Sequence, residues 1–353
     1  MTGLLVITAD DLLLDELLRL AAAAGLTPEV TGDLSSALRA WSRAPAVIVG
    51  ADLLAGLSRM GPPRRAGVHV AGWGTAGEEL FRAALAIGAE QVVELPEGGP
   101  WLTAVLTDVG DDAGAGGLTV GVIGGSGGAG ATIFACALGQ AAASAGPAVV
   151  VDLDPLGPGV DRVLGLEERA GVRWSDLAQT TGRLGSRALR EALPRRGDLG
   201  VLAGRGDARG EPMPGPATVR EVLAAAARGH HRVVLDLPRA ERAHELIGRC
   251  DELVVLAAPT ITGIASAARL VDGLVRAGID VTRAGLVVRG AGAEPELVAR
   301  SVGLPLRAAM ADQRGLDEAI DLGLGPLRSR RGPLARASAE VLDRCRVQTA
   351  AAA

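Results

Sequence analysis

Short, unbroken apolar runs alternate along this chain with longer stretches whose apolar residues recur at helical spacing. Runs at 4–7, 46–50, 68–71 and 91–95 predict strands, and the stretches 12–24, 35–42 and 76–87 predict the helices between them. Gly25, Gly88 and the neighbourhoods of Pro28 and Pro45 supply the stops. Strand and helix alternate again from position 118. A strand at 118–123 leads through glycine-rich 124–130 into a helix at 132–145, and further apolar runs follow at 149–151, 199–202, 233–237, 253–257 and 286–288. Apolar runs with no polar alternation belong to parallel strands covered on both faces, so the pattern predicts two successive parallel α/β units. The expected division is 1–107, a linker at 108–117, a second unit at 118–325 and a basic helix and tail at 326–353.

Composition narrows the chemistry. The chain has 353 residues, 48% of them apolar, and two Phe against 50 Gly, so its cores must be packed mainly from Leu, Val and Ala. All 36 basic residues are arginine; lysine, asparagine and tyrosine are absent. A formal charge of −5 argues against a general nucleic-acid coat. Cys136, Cys250 and Cys345 have no metal-like spacing and are odd in number, which favours a reducing cytoplasm. No basic segment precedes the first apolar residues, so export is not expected. Residues 113–151 carry no charge, but their glycines fit a buried strand, loop, helix and strand better than a membrane span. His230 and His231 read as a solvated turn, Cys136 as core, and Trp41, Trp73, Trp101 and Trp174 as too dispersed to stack on nucleic acid.

The first unit resembles a response-regulator receiver domain, with Asp10 and Asp11 after the first strand where that family keeps its acidic metal-binding pair. The third strand, however, ends in Gly50 where the family has its phosphoacceptor aspartate, and Asp52 comes two residues late. Gly72 stands near the place of the family's hydroxyl residue, and Leu95-Pro96 replaces Lys-Pro. A receiver scaffold without phosphotransfer is expected, with a face for a partner or a second copy.

Gly125, Ser126, Gly127, Gly128, Ala129, Gly130, Ala131 and Thr132 lie between a strand and a helix, where backbone N–H groups and the helix N-terminus can hold phosphate. The stretch resembles the Lys-Gly-Gly-x-Gly-Lys-Thr-Thr loop of the MinD/ParA superfamily, most closely its CpaE-like and septum-site-determining branch from high-GC bacteria. Ser126 stands for the first lysine and Ala131 for the second. Further matches follow in the family's order: Asp152-Leu153-Asp154-Pro155 after an apolar strand, Asp236-Leu237-Pro238 after another, and Arg289 where many relatives place an adenine-reading Asn. The resemblance implies ATP or ADP with Mg, the cation held by Thr132 and Asp236, the nucleotide by the loop with Asp152 and Arg289, and Asp154 as catalytic residue only where hydrolysis survives.

Losing both lysines predicts little or no ATP hydrolysis, because a P-loop lysine neutralises the transferring phosphoryl group. Two alternatives stand beside this reading. An active ATPase would need arginines displaced from elsewhere, from Arg162, Arg205, Arg239 or Arg289. An NAD-dependent oxidoreductase would use Gly125-x-Gly127-x-x-Gly130 with Asp152, although no convincing catalytic His, Lys or Tyr follows. The resemblance further implies a cytoplasmic regulatory or localisation protein, recruited to septum, pole or inner membrane face. It would act in septum-site selection and cell division or in Flp/Tad pilus secretion, as a homodimer or with a protein partner from that machinery. Arg328, Arg330, Arg331, Arg336, Arg344 and Arg346 make the C-terminal stretch basic, while Leu334, Ala337, Val341 and Leu342 share an apolar face. Packing on the core or a partner is expected, ahead of peripheral membrane association or nucleic acid.

Overall fold

The computed structural model describes residues 3–112, 117–178, 184–204, 213–329 and 331–352, and the chain divides into two compact units, Met1–Ala115 and Gly116–Ala353. Arg205 and Arg330, and the centre of the Gly/Pro-rich stretch at 203–217, lie outside the described residues, as does the side chain of Arg346.

The first unit runs β1 (Leu4–Ile7), α1 (Asp11–Ala23), β2 (Glu29–Thr31), α2 (Leu34–Trp41), β3 (Ala46–Gly50), α3 (Ala51–Met60), β4 (Val68–Trp73), α4 (Glu78–Ile87), β5 (Gln91–Leu95) and α5 (Gly99–Asp112). Its sheet is parallel throughout, in the order β2-β1-β3-β4-β5. Apolar residues on both faces explain the burial of every residue of β1 and β3: Leu5, Val47 and Val49 pack with Trp41 on one face, Leu4, Val6 and Ile48 with Leu17 and Leu102 on the other. Three elements escaped the periodicity, α5 among them. Strand β2 is only three residues long and largely exposed, and α3 begins at Ala51 directly after β3, with no turn residues between them. Helix α5 continues through Asp112, into the stretch expected as a linker.

Asp10 is committed to the fold, its carboxylate capping α1 by accepting from the N–H groups of Leu12 and Leu13. Asp52, in the first turn of α3, accepts from Thr8 Oγ1 at 2.9 Å and from Ala9 N at 2.7 Å. Its carboxylate thereby fills the space beyond β3; a Cβ on Gly50 would collide with Asp52 Oδ1. Asp52→Ala is therefore expected to destabilise this unit by about 1 kcal/mol, the usual net value of lost hydrogen bonds at an accessible site. Denaturant unfolding of the full chain checks this; an unchanged first transition would show that the carboxylate holds nothing.

The second unit runs β6 (Leu118–Gly124), α6 (Ala131–Ala142), β7 (Ala148–Asp152), α7 (Val160–Val163), α8 (Trp174–Leu177), α9 (Ser186–Ala192), β8 (Arg195–Arg196), β9 (Leu199–Leu202), α10 (Pro216–Gly229) and β10 (Arg232–Leu237), then α11 (Ala243–Ile247), β11 (Glu252–Ala257), α12 (Ile261–Arg276), β12 (Ala284–Arg289), α13 (Pro295–Val302), β13 (Leu306–Met310), α14 (Leu316–Asp321) and α15 (Pro333–Ala352). The sheet order is β13-β12-β11-β6-β10-β7-β9-β8, parallel except for the short antiparallel β8. The chain leaves β6 toward β7 on one side and later lays β11, β12 and β13 on the other. The loop after β6 thus opens at a switch point on the carboxyl side of the sheet, where α/β folds place ligands.

The tail is part of this unit's core. Leu334, Ala337, Val341 and Leu342 of α15 are buried with Phe134 and Leu138 of α6. Beneath the sheet, Arg307 on β13 reaches across β12 to Glu252 on β11, Nε to Oε1 at 2.5 Å, both side chains buried. His230 corrects the solvated-turn reading: it is buried, with Nδ1 3.0 Å from the Ala226 carbonyl, and burial lowers its pKa to about 4. It is therefore a neutral core histidine.

Candidate phosphate site

Strand β6 delivers the chain to Gly125, whose N–H donates to the Leu256 carbonyl at 2.7 Å. Ser266 Oγ on α12 donates to the Gly125 carbonyl at 2.7 Å, and a Cβ at 125 would press on Ala267 and that Leu256 carbonyl. Gly125 is thus fixed by packing against β11 and α12, while Gly127 and Gly128 face open space. The loop closes at Gly130, whose φ of +92 favours glycine, and α6 starts at once. Among the described residues, the N–H groups of Gly127, Gly128, Ala131, Thr132 and Ile133 find no acceptor. They form the donor set that an anion at a helix N-terminus requires.

The carboxylates stand on the neighbouring strands. Asp152 at the end of β7 and Asp236 in β10 are register partners, which the sequence spacing could not reveal. Asp152 is turned inward: Oδ1 accepts from Asp154 N and Oδ2 from Val160 N, each at 3.1 Å, so it shapes the turn that leads to α7. Trp174, read from the sequence only as one of four tryptophans too dispersed to stack on nucleic acid, is buried and donates from Nε1 to the Asp152 carbonyl at 2.7 Å. Asp154 is only half-buried and accepts from Leu156 N in an Asx turn, at 3.1 Å.

Asp236 differs from both. It is buried, with the Thr132 hydroxyl near enough to oppose part of its pKa rise, and its Oδ2 has no hydrogen-bond partner. Burial, reinforced by the negative charge of Asp152, raises its pKa to about 7, and burial raises Asp152 to about 6. A crowded acidic pair with an orphaned oxygen beside a helix-start hydroxyl suits a divalent cation. Among the described residues, no group of three or more His, Cys, Asp and Glu could hold a metal by itself. A magnesium ion carried in with phosphate needs only one or two protein groups, so Thr132 and Asp236 fit it.

The remaining predicted residues sort clearly. Arg239 Nη2 donates to Ser266 Oγ at 3.2 Å, and Arg289 pairs with Asp312 at 2.9 Å. Cys136, Cys250 and Cys345 are all buried, and burial pushes their thiols up, to about 12 for Cys250 and Cys345, which leaves no reactive thiolate.

Residues 7–117 match the family described as the Rv3660c-like, CheY-like N-terminal domain. The Mycobacterium tuberculosis (strain H37Rv) protein Rv3660c is 38% identical over 338 residues, 93% of each chain. Solved structures resemble this chain over 64–65% of its length at low identity. A ParA family ATPase from Chlorobium tepidum is 16% identical, with TM-score 0.54 over 98% of that chain. A chain of the MinC:MinD cell division protein complex from Aquifex aeolicus is 20% identical, with TM-score 0.53 over 96% of that chain. The Pyrococcus horikoshii septum site-determining protein MinD with Mg-ADP is 17% identical, with TM-score 0.50 over 95%. The expected fold is borne out: parallel α/β sheets, a CheY-like N-terminal domain and a ParA/MinD-like P-loop NTPase fold behind it.

Proposed function

The chain belongs to the family of the mycobacterial protein Rv3660c, and from that premise we propose that it is a regulatory or localisation protein that binds ATP or ADP with Mg at a degenerate site and turns it over little or not at all. One observation carries this reading. The donor cradle at 127–133 and the Thr132–Asp236 pair are intact in a chain that contains no lysine. Binding needs the cradle and the cation; turnover needs charge that follows the transferring phosphoryl. Thr132 and Asp236 would hold the magnesium, which neutralises phosphate charge when bound. The loop's N–H groups would orient the phosphates, and Asp154 remains the candidate for positioning water.

The dinucleotide reading has less support, since both oxygens of Asp152 are already taken by backbone N–H groups and are not presented to a ribose. The proposed division of the chain is a receiver-like unit at 1–107, a linker at 108–117, a P-loop unit at 118–325 and a helical tail. For the tail, packing within the core supports a structural role ahead of membrane association; no helix among the described residues is long and apolar enough to cross a membrane. The biological setting is septum-site selection or pilus secretion, with a second copy or a partner protein. Light scattering with and without Mg-ATP, followed by capture of partners from the native host, tests this. A dimer or partner-bound form that depends little on ATP is expected. A monomer in both conditions that captures neither division nor secretion components would overturn it.

A further inference from the structure

A loop that lost its lysines still carries a cation, supplied from another strand. Arg289 is the last residue of β12, and the strand order places that end beyond β11, on the same side of the sheet as the loop after β6. Its Nε donates to Asp312 Oδ1 at 2.9 Å, and Nη1 points to the Ala129 carbonyl at 3.5 Å. The guanidinium lies over Gly130 so closely that a Cβ there would collide with Nη1. The positive charge therefore stands at the residue that opens α6, one position before Ala131.

The arginine is engaged only lightly. Guanidinium offers five N–H donors in a planar fork. Beyond the contacts to Asp312 and Ala129, the others meet no acceptor among the described residues. Asp312 is 70% exposed and Arg289 28%, and an ion pair so open to water is weak and readily exchanged. A fork with spare donors, beside helix-start N–H groups that also lack acceptors, matches phosphate oxygens. Independently, the orphaned Oδ2 of Asp236, a residue only 2% exposed, calls for a cation at the same loop, as a magnesium polyphosphate would supply.

We propose that Arg289 grips the polyphosphate of the nucleotide at this loop, replacing from the end of β12 the charge that the loop itself lacks. The proposal rests on the reading of 124–132 as a phosphate site, and it assigns Arg289 to the phosphates and not to the adenine. Anchored outside the loop, the fork holds the ground state without following a transferring phosphoryl group.

Calorimetric titration of the full chain with Mg-ATP, magnesium tripolyphosphate and adenosine, for the wild type, Arg289→Gln and Arg289→Lys, tests this. Arg289→Gln is expected to weaken ATP and tripolyphosphate alike, by about 10- to 100-fold, with adenosine unchanged and Arg289→Lys recovering part of the loss. Thermal unfolding of each variant confirms that the fold is retained. If Arg289→Gln binds tripolyphosphate as the wild type does, the proposal is overturned, and a matching loss for adenosine would assign the residue to the base. If the wild type binds neither ATP nor tripolyphosphate, the phosphate reading of the loop fails, and this proposal falls with it.

Discussion

Asp236→Asn is expected to make the free protein more stable at pH 8 while weakening its response to Mg-ATP. The folded-state pKa of Asp236 is raised to about 7, well above the 3.8 of an unperturbed aspartate, with burial the main cause and Asp152 the next. A carboxyl whose pKa is raised by folding favours the native state in its neutral form. Its stability is fully present below the unfolded pKa, falls as pH climbs from about 4 to about 7, and stays low above that. A rise from about 4 to about 7 corresponds to about 4 kcal/mol. A buried amide gives up part of this gain in imperfect hydrogen bonding, so about 1–3 kcal/mol should remain. For a unit of this size that is a rise of about 3–8 °C in Tm at pH 8, shrinking to nothing near pH 4. Mg-ATP should raise the Tm of the wild type at pH 8 and move the variant less, because only the wild type offers a charged carboxylate to the magnesium that the phosphates carry in. A less stable variant at pH 8 would mean that the Asp236 carboxylate is held by something stronger than the geometry shows.

Ala131→Lys is expected to tighten Mg-ATP binding by about 10- to 100-fold. Position 131 is the first residue of α6, next to the N–H groups that form the cradle, so a lysine there adds charge to a site whose backbone already has the required shape. Arg289 opposes part of the gain by its own charge, and the double variant with Arg289→Gln should therefore profit more from the lysine than the wild type does. Titration of ATP into the single and double variants measures this. No gain in either background would show that the loop is shaped only for packing.

What could be read from the chain follows from locality. The β6–loop–α6 unit was legible because an unbroken apolar run, a glycine cluster and a helical stretch are adjacent in sequence, and the same holds for β7 with Asp152 and β10 with Asp236. Their pairing was not, because register is settled by the sheet and no local signal encodes it. Arg289 was found as a position, but its place over Gly130 depends on β12 lying beyond β11 from β6, a fact of strand order. Trp174 was missed as the support of Asp152 because its role is one hydrogen bond between residues 22 apart. Arg307 and Glu252 were missed because each looks like surface charge until a third strand is laid between them. In the first unit, α3 hid because the strand before it ends in Gly50 and passes into helix with no turn, and Asp52 in that helix takes up the space a side chain at 50 would need.

The central claim is that the site binds nucleotide and does not turn it over, and the most direct test is to measure both on one pure preparation. Calorimetry with Mg-ATP should show saturable, magnesium-dependent binding, while phosphate release stays at background and is the same in Asp236→Ala. Robust phosphate release that Asp236→Ala abolishes would contradict the account.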